Sequence, residues 1–584
     1  MDLKKLYREL VRRNVFRAIV AYLAVSWVLI QIASTLLPVF EAPAYLLEGL
    51  IYLLAIGLVF WTGFSWVYDL TPRGIQKTPE AHDTTGTRQL NSKRLNAVIV
   101  GAGIAAVLIL LAGSFWAGSQ WKSGKEFAYN SGFRIAVLPF EDKSDNAEFG
   151  YLSEGLAEDV ISKLYNISSL SVISSRSTFQ FKDTGKSIEQ ISKELKADIM
   201  LIGSYTIYSQ NLDVKVEVID GKNNEILNYA SISGNLARMG DVISRIGDNI
   251  YWALNITDSE QKINENTVIR ETNIEAYKYN AMGKSAMYDN TGQKLEDITR
   301  YFQAAIDLDS TYVDPYIGIA EAHIFDVNRG YMSPTEGAQM AKKYALMAEK
   351  LNPGSGEVSG ILGIIYCLDF DFKNAIPYFE KSLQRSPNFL KTYRWYAFVL
   401  ELMGDFDRAE ALKKKASILD PLNAINDVFL ALNYIFQGNL IRAEEVIGTK
   451  LSLEPNHKEF LWVKAVLLVE KGLYNEAYEA LLKRNYGLET NFIAGYLFTR
   501  IGQEDRANVV LNNMLAASEK RYVPPSQIAI VLCGLEQYDR ALEELEEAFL
   551  VHDQFIGWIK FTSMTDPIKE HPRYISLMEQ LDWE

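Results

Sequence analysis

Proline recurs at Pro353, Pro387, Pro421 and Pro455, and alanine at Ala341, Ala375, Ala409, Ala443 and Ala477. Both series step by 34 residues and share one register. A fixed period of this length marks an array whose units cannot bury their apolar faces alone, so that neighbours must stack. The unit here is a helix–turn–helix with proline after its second helix, which makes the C-terminal half an α-solenoid. Everything upstream is then read as what holds and positions that solenoid.

The clearest unit is Gly356–Pro387, where Leu362, Gly363, Tyr366, Ala375, Phe379 and Pro387 take helix-packing positions. Leu390–Pro421 and Ala424–Pro455 follow in register, with Gly404 and Gly438 at the turns between helices. These units resemble tetratricopeptide repeats. The array is expected over 272–556, from an atypical first pair at 276–288 and 295–308 to a C-terminal cap helix within 557–584. Surplus residues around Asp326–Gly337 predict a projecting loop, and the pattern degrades from Phe492 onward. The first helix of each unit lines a concave groove, bringing Val428, Leu432 and Val466 to it along with Lys391, Arg394, Phe398, Glu401, Phe436 and Trp462. The last six are the candidate protein-binding residues, because a mixed apolar and charged groove suits an amphipathic or extended peptide. The plainer reading is that Phe398, Leu432 and Phe436 pack between neighbouring repeats.

At 584 residues the chain exceeds one hydrophobic core and should divide into several units. A net charge of −14 gives no overall drive towards nucleic acid. Cys367 and Cys533 could pair on parity alone, but each reads better as a small buried apolar residue inside a repeat helix. His82, His323, His457, His552 and His571 are scattered, none at metal-ligand spacing, so neither metal nor cofactor is expected. Asp142, Asp145, Glu148, Glu154, Glu158 and Asp159 cluster around one strand–helix connection. Without a nearby histidine, a P-loop or a G-x-S-x-G motif, they read as structural acids favoured at a helix start, and no enzyme is expected.

Three apolar runs, Ala18–Leu37, Leu50–Tyr68 and Ala97–Ala117, contain no Lys, Arg, Asp or Glu. Each is near the roughly 20 residues a helix needs to cross a bilayer. Basic residues precede the first run (Lys4, Lys5, Arg8, Arg12, Arg13, Arg17) and follow the second (Arg73, Lys77, Arg88, Lys93, Arg94). By the positive-inside bias, residues 1–17 form a cytoplasmic N-terminus, 18–69 two membrane helices, 70–95 a cytoplasmic linker and 96–118 a third helix. The rest would face the periplasm of a bacterial inner-membrane protein.

Between the membrane runs and the repeats, Phe133–Phe140 has the apolar density of a buried strand, and Tyr151–Tyr165 the spacing of an amphipathic helix. Ser187 and Gln190 form a capping box, and three strands and a helix follow, giving a β-α-β-α-β-β-β-α order. The segments IAVLPFEDKSDNAEFGYLSEGLAEDVISKL, LSVISSRSTFQF and IEQISKELKADIMLIGSY resemble the TolB-amino-terminal-like (FlgO-type) domain over 133–255. RRNVFRAIVAYLAVSWVLIQIASTLLP and WVYDLTPRGI resemble the membrane lead found ahead of such domains. That family joins the domain to tetratricopeptide repeats and often to a nucleotide cyclase or winged-helix domain, for which the first seventeen residues leave no room.

The expected fold class is therefore multidomain: three transmembrane α-helices, an α/β TolB-like domain at 130–256 and an all-α repeat solenoid. The expected role is a periplasmic scaffold binding protein or peptide partners in its groove. The alternative is a receptor subunit regulating a separate cyclase or transcription factor.

Overall fold

The computed structural model describes residues 15–39, 68–71, 74–77, 132–144, 149–256, 273–288, 294–484 and 487–581, with five single positions between 52 and 61. The chain forms two compact units, Met1–Tyr129 and Asn130–Glu584. In the first unit, helix α1 (Val15–Val39) and a hairpin of β1 (Tyr68–Thr71) and β2 (Gly74–Lys77) are described. The Tyr22 hydroxyl donates to the Leu54 carbonyl at 3.0 Å, and its ring stacks on Trp61.

Three transmembrane helices, and with them a multi-pass inner-membrane location, do not stand. Among the described residues no helix is long and apolar enough to cross a membrane. The apolar run of α1 is broken by Ser26, which is buried, and Gln31. The second run does not continue as helix to Tyr68, which opens β1. The run Ala97–Ala117, the N-terminus 1–14 and the linker beyond Lys77 lie outside the described residues.

The second unit begins with a six-stranded sheet. Its strands are β3 (Phe133–Val137), β4 (Glu141–Asp142), β5 (Leu170–Val172), β6 (Ile199–Tyr208), β7 (Asn211–Asp220) and β8 (Ile226–Asn235). They are ordered β5-β3-β6-β7-β8, with β4 beside β6 where Pro139 interrupts the line of β3. The β3 strand runs parallel to β5 and β6, while β6, β7 and β8 form an antiparallel meander. Alternation along β3 sends Ile135 and Val137 to one face and Ala136 and Leu138 to the other. The first face is covered by α2 (Leu152–Leu164) and α5 (Met239–Ala253). The second packs on α4 (Ile188–Leu195), whose capping box at Ser187 and Gln190 is present; a short helix, α3 (Ser175–Thr178), precedes it.

The remainder is a helical solenoid of tetratricopeptide type. Its first pairs are α6 (Ile274–Tyr288) with α7 (Leu295–Leu308), α8 (Asp314–Asn328) with α9 (Pro334–Leu351), and α10 (Gly356–Leu368) with α11 (Phe372–Arg385). Next come α12 (Leu390–Leu402) with α13 (Phe406–Leu419), α14 (Ala424–Phe436) with α15 (Leu440–Leu453), and α16 (Lys458–Glu470) with α17 (Tyr474–Arg484). The last are α18 (Phe492–Arg500) with α19 (Glu504–Ser518) and α20 (Pro525–Gly534) with α21 (Tyr538–Leu550), closed by α22 (Ile556–Ile559) and α23 (Pro572–Gln580). Ala341, Ala375, Ala409, Ala443 and Ala477 are all fully buried, because at these positions only a methyl group fits between paired helices. The surplus near residue 330 does not project as a loop. It lengthens α8 and α9 and leaves only 329–333 between them, a turn whose Gly330 lies against the Tyr522 carbonyl.

The turn inside each pair needs a left-handed residue. Phe370, Gly404, Gly438, Gly472, Gly502 and Glu536 all have positive φ, spaced by 34 except for one step of 30 between Gly472 and Gly502. That shortened step is where the sequence pattern degrades. At Gly438, φ is +77° and a Cβ would meet open space, so only backbone strain opposes a side chain. Gly438→Ala is expected to lower stability by about 1 kcal/mol, read from the denaturant midpoint at unchanged slope.

Candidate functional site

The site is built where the sheet domain meets the solenoid. Strand β5 is an edge strand, and its outward backbone groups need partners. Two successive proline turns of the solenoid supply them. In the turn after α11, the Asn388 side-chain oxygen accepts from the Val172 amide at 3.1 Å, and its Nδ2 donates to the Ile167 carbonyl at 2.7 Å. In the turn after α13, the Leu419 carbonyl accepts from the Ser174 amide at 2.7 Å. The neighbouring Asp420 carboxylate is 1% exposed. It accepts from Ser174 Oγ (2.5 Å) and Ser177 Oγ (2.7 Å) of the sheet domain, and from Arg394 (2.7 Å) and Asn423 (2.8 Å) of the solenoid. Leu422, one residue past the proline, packs on the α4 face of the sheet. Because the turns recur every 34 residues, they present their caps at a spacing the domain spans in one contact.

A second contact is made by α2. Tyr277 on α6 donates its hydroxyl to Asp159 at 2.6 Å, and Lys284 lies within 4.0 Å of Glu158, Asp159 and Asp314. Ser162 donates to Glu357 at the start of α10. Burial pushes the Glu357 carboxyl up to about 7, against the Ser162 bond that favours its charged form. Burial also raises Asp159, with Lys284 and Tyr277 holding it down and Asp314 and Glu158 raising it further.

Between these contacts a cavity of about 2070 Å³ opens, walled by α2, α5 and the α3 turn on one side and by the first helices of the repeats on the other. Lys391, Arg394, Phe398 and Glu401 line it, but their charges have internal partners. Lys391 pairs with Glu321, Arg394 with Asp420 and Asn426, and Glu401 with the buried Lys413. Phe436 and Trp462 lie elsewhere, around a small void with Leu432, Val466 and Met564.

The concave face beyond the cavity is filled by the chain itself. Residues 552–565 cross it, and Trp558 packs among Phe398, Phe429, Phe436 and Phe555 at ring separations of 5.0–6.4 Å. Phe561 packs on Phe406 and Phe436, and Thr562 donates to Glu470 at 2.6 Å. Gly557 passes so close to α12 that a Cβ would lie 2.2 Å from Leu402. Reading the register alone missed both this strap and the docked domain. The Gly–Trp pair in an aromatic-rich tail was the one available signal.

Cys367 and Cys533 are both buried and free. Among the described residues no cluster of His, Cys, Asp and Glu could hold a metal ion.

An α/β domain clamped on a repeat solenoid defines the class of protein. Residues 131–247 match the family described as HilA/YgeH-like transcriptional regulator, second domain. The transcriptional regulator HilA of Salmonella typhimurium is 20% identical over 304 residues, 50% of this chain and 51% of that one. Putative adenylate cyclase 3 of Rhizobium meliloti is 37% identical over 87 residues, 15% of each chain. The chain thus spans about half the length of HilA and less of the cyclase. A tetratricopeptide repeat protein from Parabacteroides merdae matches 43% of this chain and 98% of that one, at 16% identity and a TM-score of 0.31.

Asp420→Ala should cost about 3–5 kcal/mol, since it leaves Arg394 buried without its partner and frees two serines. Differential scanning calorimetry would read the loss, and limited proteolysis should release the sheet domain first. The raised carboxyls set a pH dependence. The folded state holds protons there that the unfolded chain releases, so stability falls between about pH 4 and 7 and levels off above. In Glu357→Gln this fall should be shallower, as followed by melting temperature across that range.

Proposed function

We propose that this chain is a protein-binding scaffold whose receptor is the cavity between the sheet domain and the repeats. The observation that carries the reading is the two-walled shape of a space of about 2070 Å³, with aromatic side chains such as Trp395 and Phe429 beside paired charges. Such a surface provides apolar anchors beside polar groups, many of them held by internal ion pairs, which is the composition of a peptide-recognition site. Lys391, Arg394, Phe398 and Glu401 contribute to it as wall and frame. Phe436 and Trp462 serve the strap instead, holding residues 555–564 in place. No catalytic step is assigned.

A regulatory role is the second reading, favoured by the match of residues 131–247 to a domain of a transcriptional-regulator family. The TolB-like resemblance over 133–255 supports the same assignment of the domain as a module working beside separate outputs. In this reading the partner held in the cavity is the regulated protein.

Photo-crosslinking amino acids placed at Trp395 and Ile243, on opposite walls, should capture the same protein from cells. A crosslinker at Tyr538, exposed on α21, is the control. Different partners at the two walls, or equal capture at Tyr538, would sink the reading.

A further inference from the structure

The end of the cavity nearest the strap is lined differently from the rest. Trp395 and Phe398 of α12, Phe429 of α14 and Trp558 of the strap meet there, at ring separations of 5.9–6.4 Å. One turn beyond Phe398, Glu401 also lines the cavity and is 1% exposed. Its Oε1 pairs with the Lys413 ammonium, whereas its Oε2 finds no donor among the described residues. The Trp558 indole Nε1 likewise finds no acceptor among them. Buried polar atoms are ordinarily hydrogen-bonded, so an orphan acceptor and an orphan donor in one aromatic recess mark groups that a ligand would satisfy.

Charge narrows the ligand. Lys413 is 5% exposed, donates to the Phe429 carbonyl at 3.1 Å and lies 5.9 Å from the centre of that ring. The cation's place beside Phe429 is therefore filled, and an incoming guanidinium or ammonium would face a buried ammonium. An anion would face the Glu401 carboxylate. The pair sums to zero, so the recess suits a neutral group with both a donor and an acceptor. A flat carboxamide is such a group: its N–H donates to Glu401 Oε2, its oxygen accepts from Trp558, and its plane lies against the rings. The strap fills the concave face beyond Trp558, so a side-chain tip enters end-on while the main chain stays in the wider cavity. We propose that this recess is the specificity subsite of the cavity, taking the carboxamide tip of a glutamine or asparagine in the bound segment. The inference rests on the cavity's being a peptide receptor and adds which side chain it selects.

The test titrates three probes of one shape and different charge, benzamide, benzoate and benzamidine, against the full chain by ligand-observed NMR. Benzamide should bind about tenfold more tightly than either ion. Trp558→Phe keeps a ring and removes the N–H, so it should weaken benzamide about three- to tenfold and leave toluene unchanged. Because that substitution touches the strap, a second variant replaces the ion pair whole. Glu401→Met with Lys413→Met keeps the side-chain volumes, and should weaken benzamide about tenfold or more while toluene binds as before. No benzamide binding, equal binding of the three probes, or tighter binding of either ion overturns the proposal, even if crosslinks at Trp395 and Ile243 capture one partner. So does an unchanged benzamide affinity in either variant. If the crosslinks capture different proteins while benzamide keeps its preference and both variants lose it, the receptor reading fails and the subsite stands.

Discussion

The assembly of the second unit depends on one buried carboxylate. Asp420 sits just before the proline of a repeat, where the chain leaves helix α13 and must turn. Four donors from two modules converge on its two oxygens. A carboxylate removed from water is tolerated only when its lone pairs are filled, and here half the donors, Ser174 and Ser177, lie 246 and 243 residues earlier in the chain. Undocking the domain would strip those donors from the charge. The sheet and the solenoid are therefore obliged to act as one body, although each has its own core.

The same logic shapes the rest of the joint. The proline turns of a repeat array are ordinarily exposed, and an edge strand is ordinarily a liability. Placing one against the other satisfies the backbone of both. Lys391, Arg394 and Glu401, which face the cavity, follow suit, each directed to a neighbour on another helix. The resulting walls are rigid and nearly neutral, so selectivity would come from shape and aromatic contact more than from long-range attraction. Protonation of Asp159 and Glu357 bears on one hinge of the cavity, where α2 meets α6 and α10.

What could be read in the sequence was what repeats locally. The alanine series marks the helix–helix contact because that contact recurs unchanged, and the positive-φ turns follow the same step. Phe370 and Glu536 escaped notice because they hold a glycine's place without being glycine. The strand and helix order of the sheet domain was legible from alternation and a capping box. The joint was not, because Ser174, Asn388 and Asp420 look like ordinary turn and cap residues until the chain is folded. Lys391, Arg394 and Glu401 were legible as facing inward, but their pairing partners lie 70, 26 and 12 residues away and follow no period. The apolar runs near the N-terminus were read by length and charge, whereas the described helix there does not meet the requirement for crossing a membrane.

Solenoids usually behave as one-dimensional stacks, in which each repeat feels only its neighbours and the ends can fray separately. The strap at 552–565 removes that freedom. It ties the last helices to Leu368 on α10 and to Leu402 on α12, 186 and 158 residues back. A linear stack with its end fastened to its middle has no independent terminus from which to unzip. Such a chain should melt in one cooperative step, and on the ribosome its concave face stays unfinished until residues 552–565 have emerged.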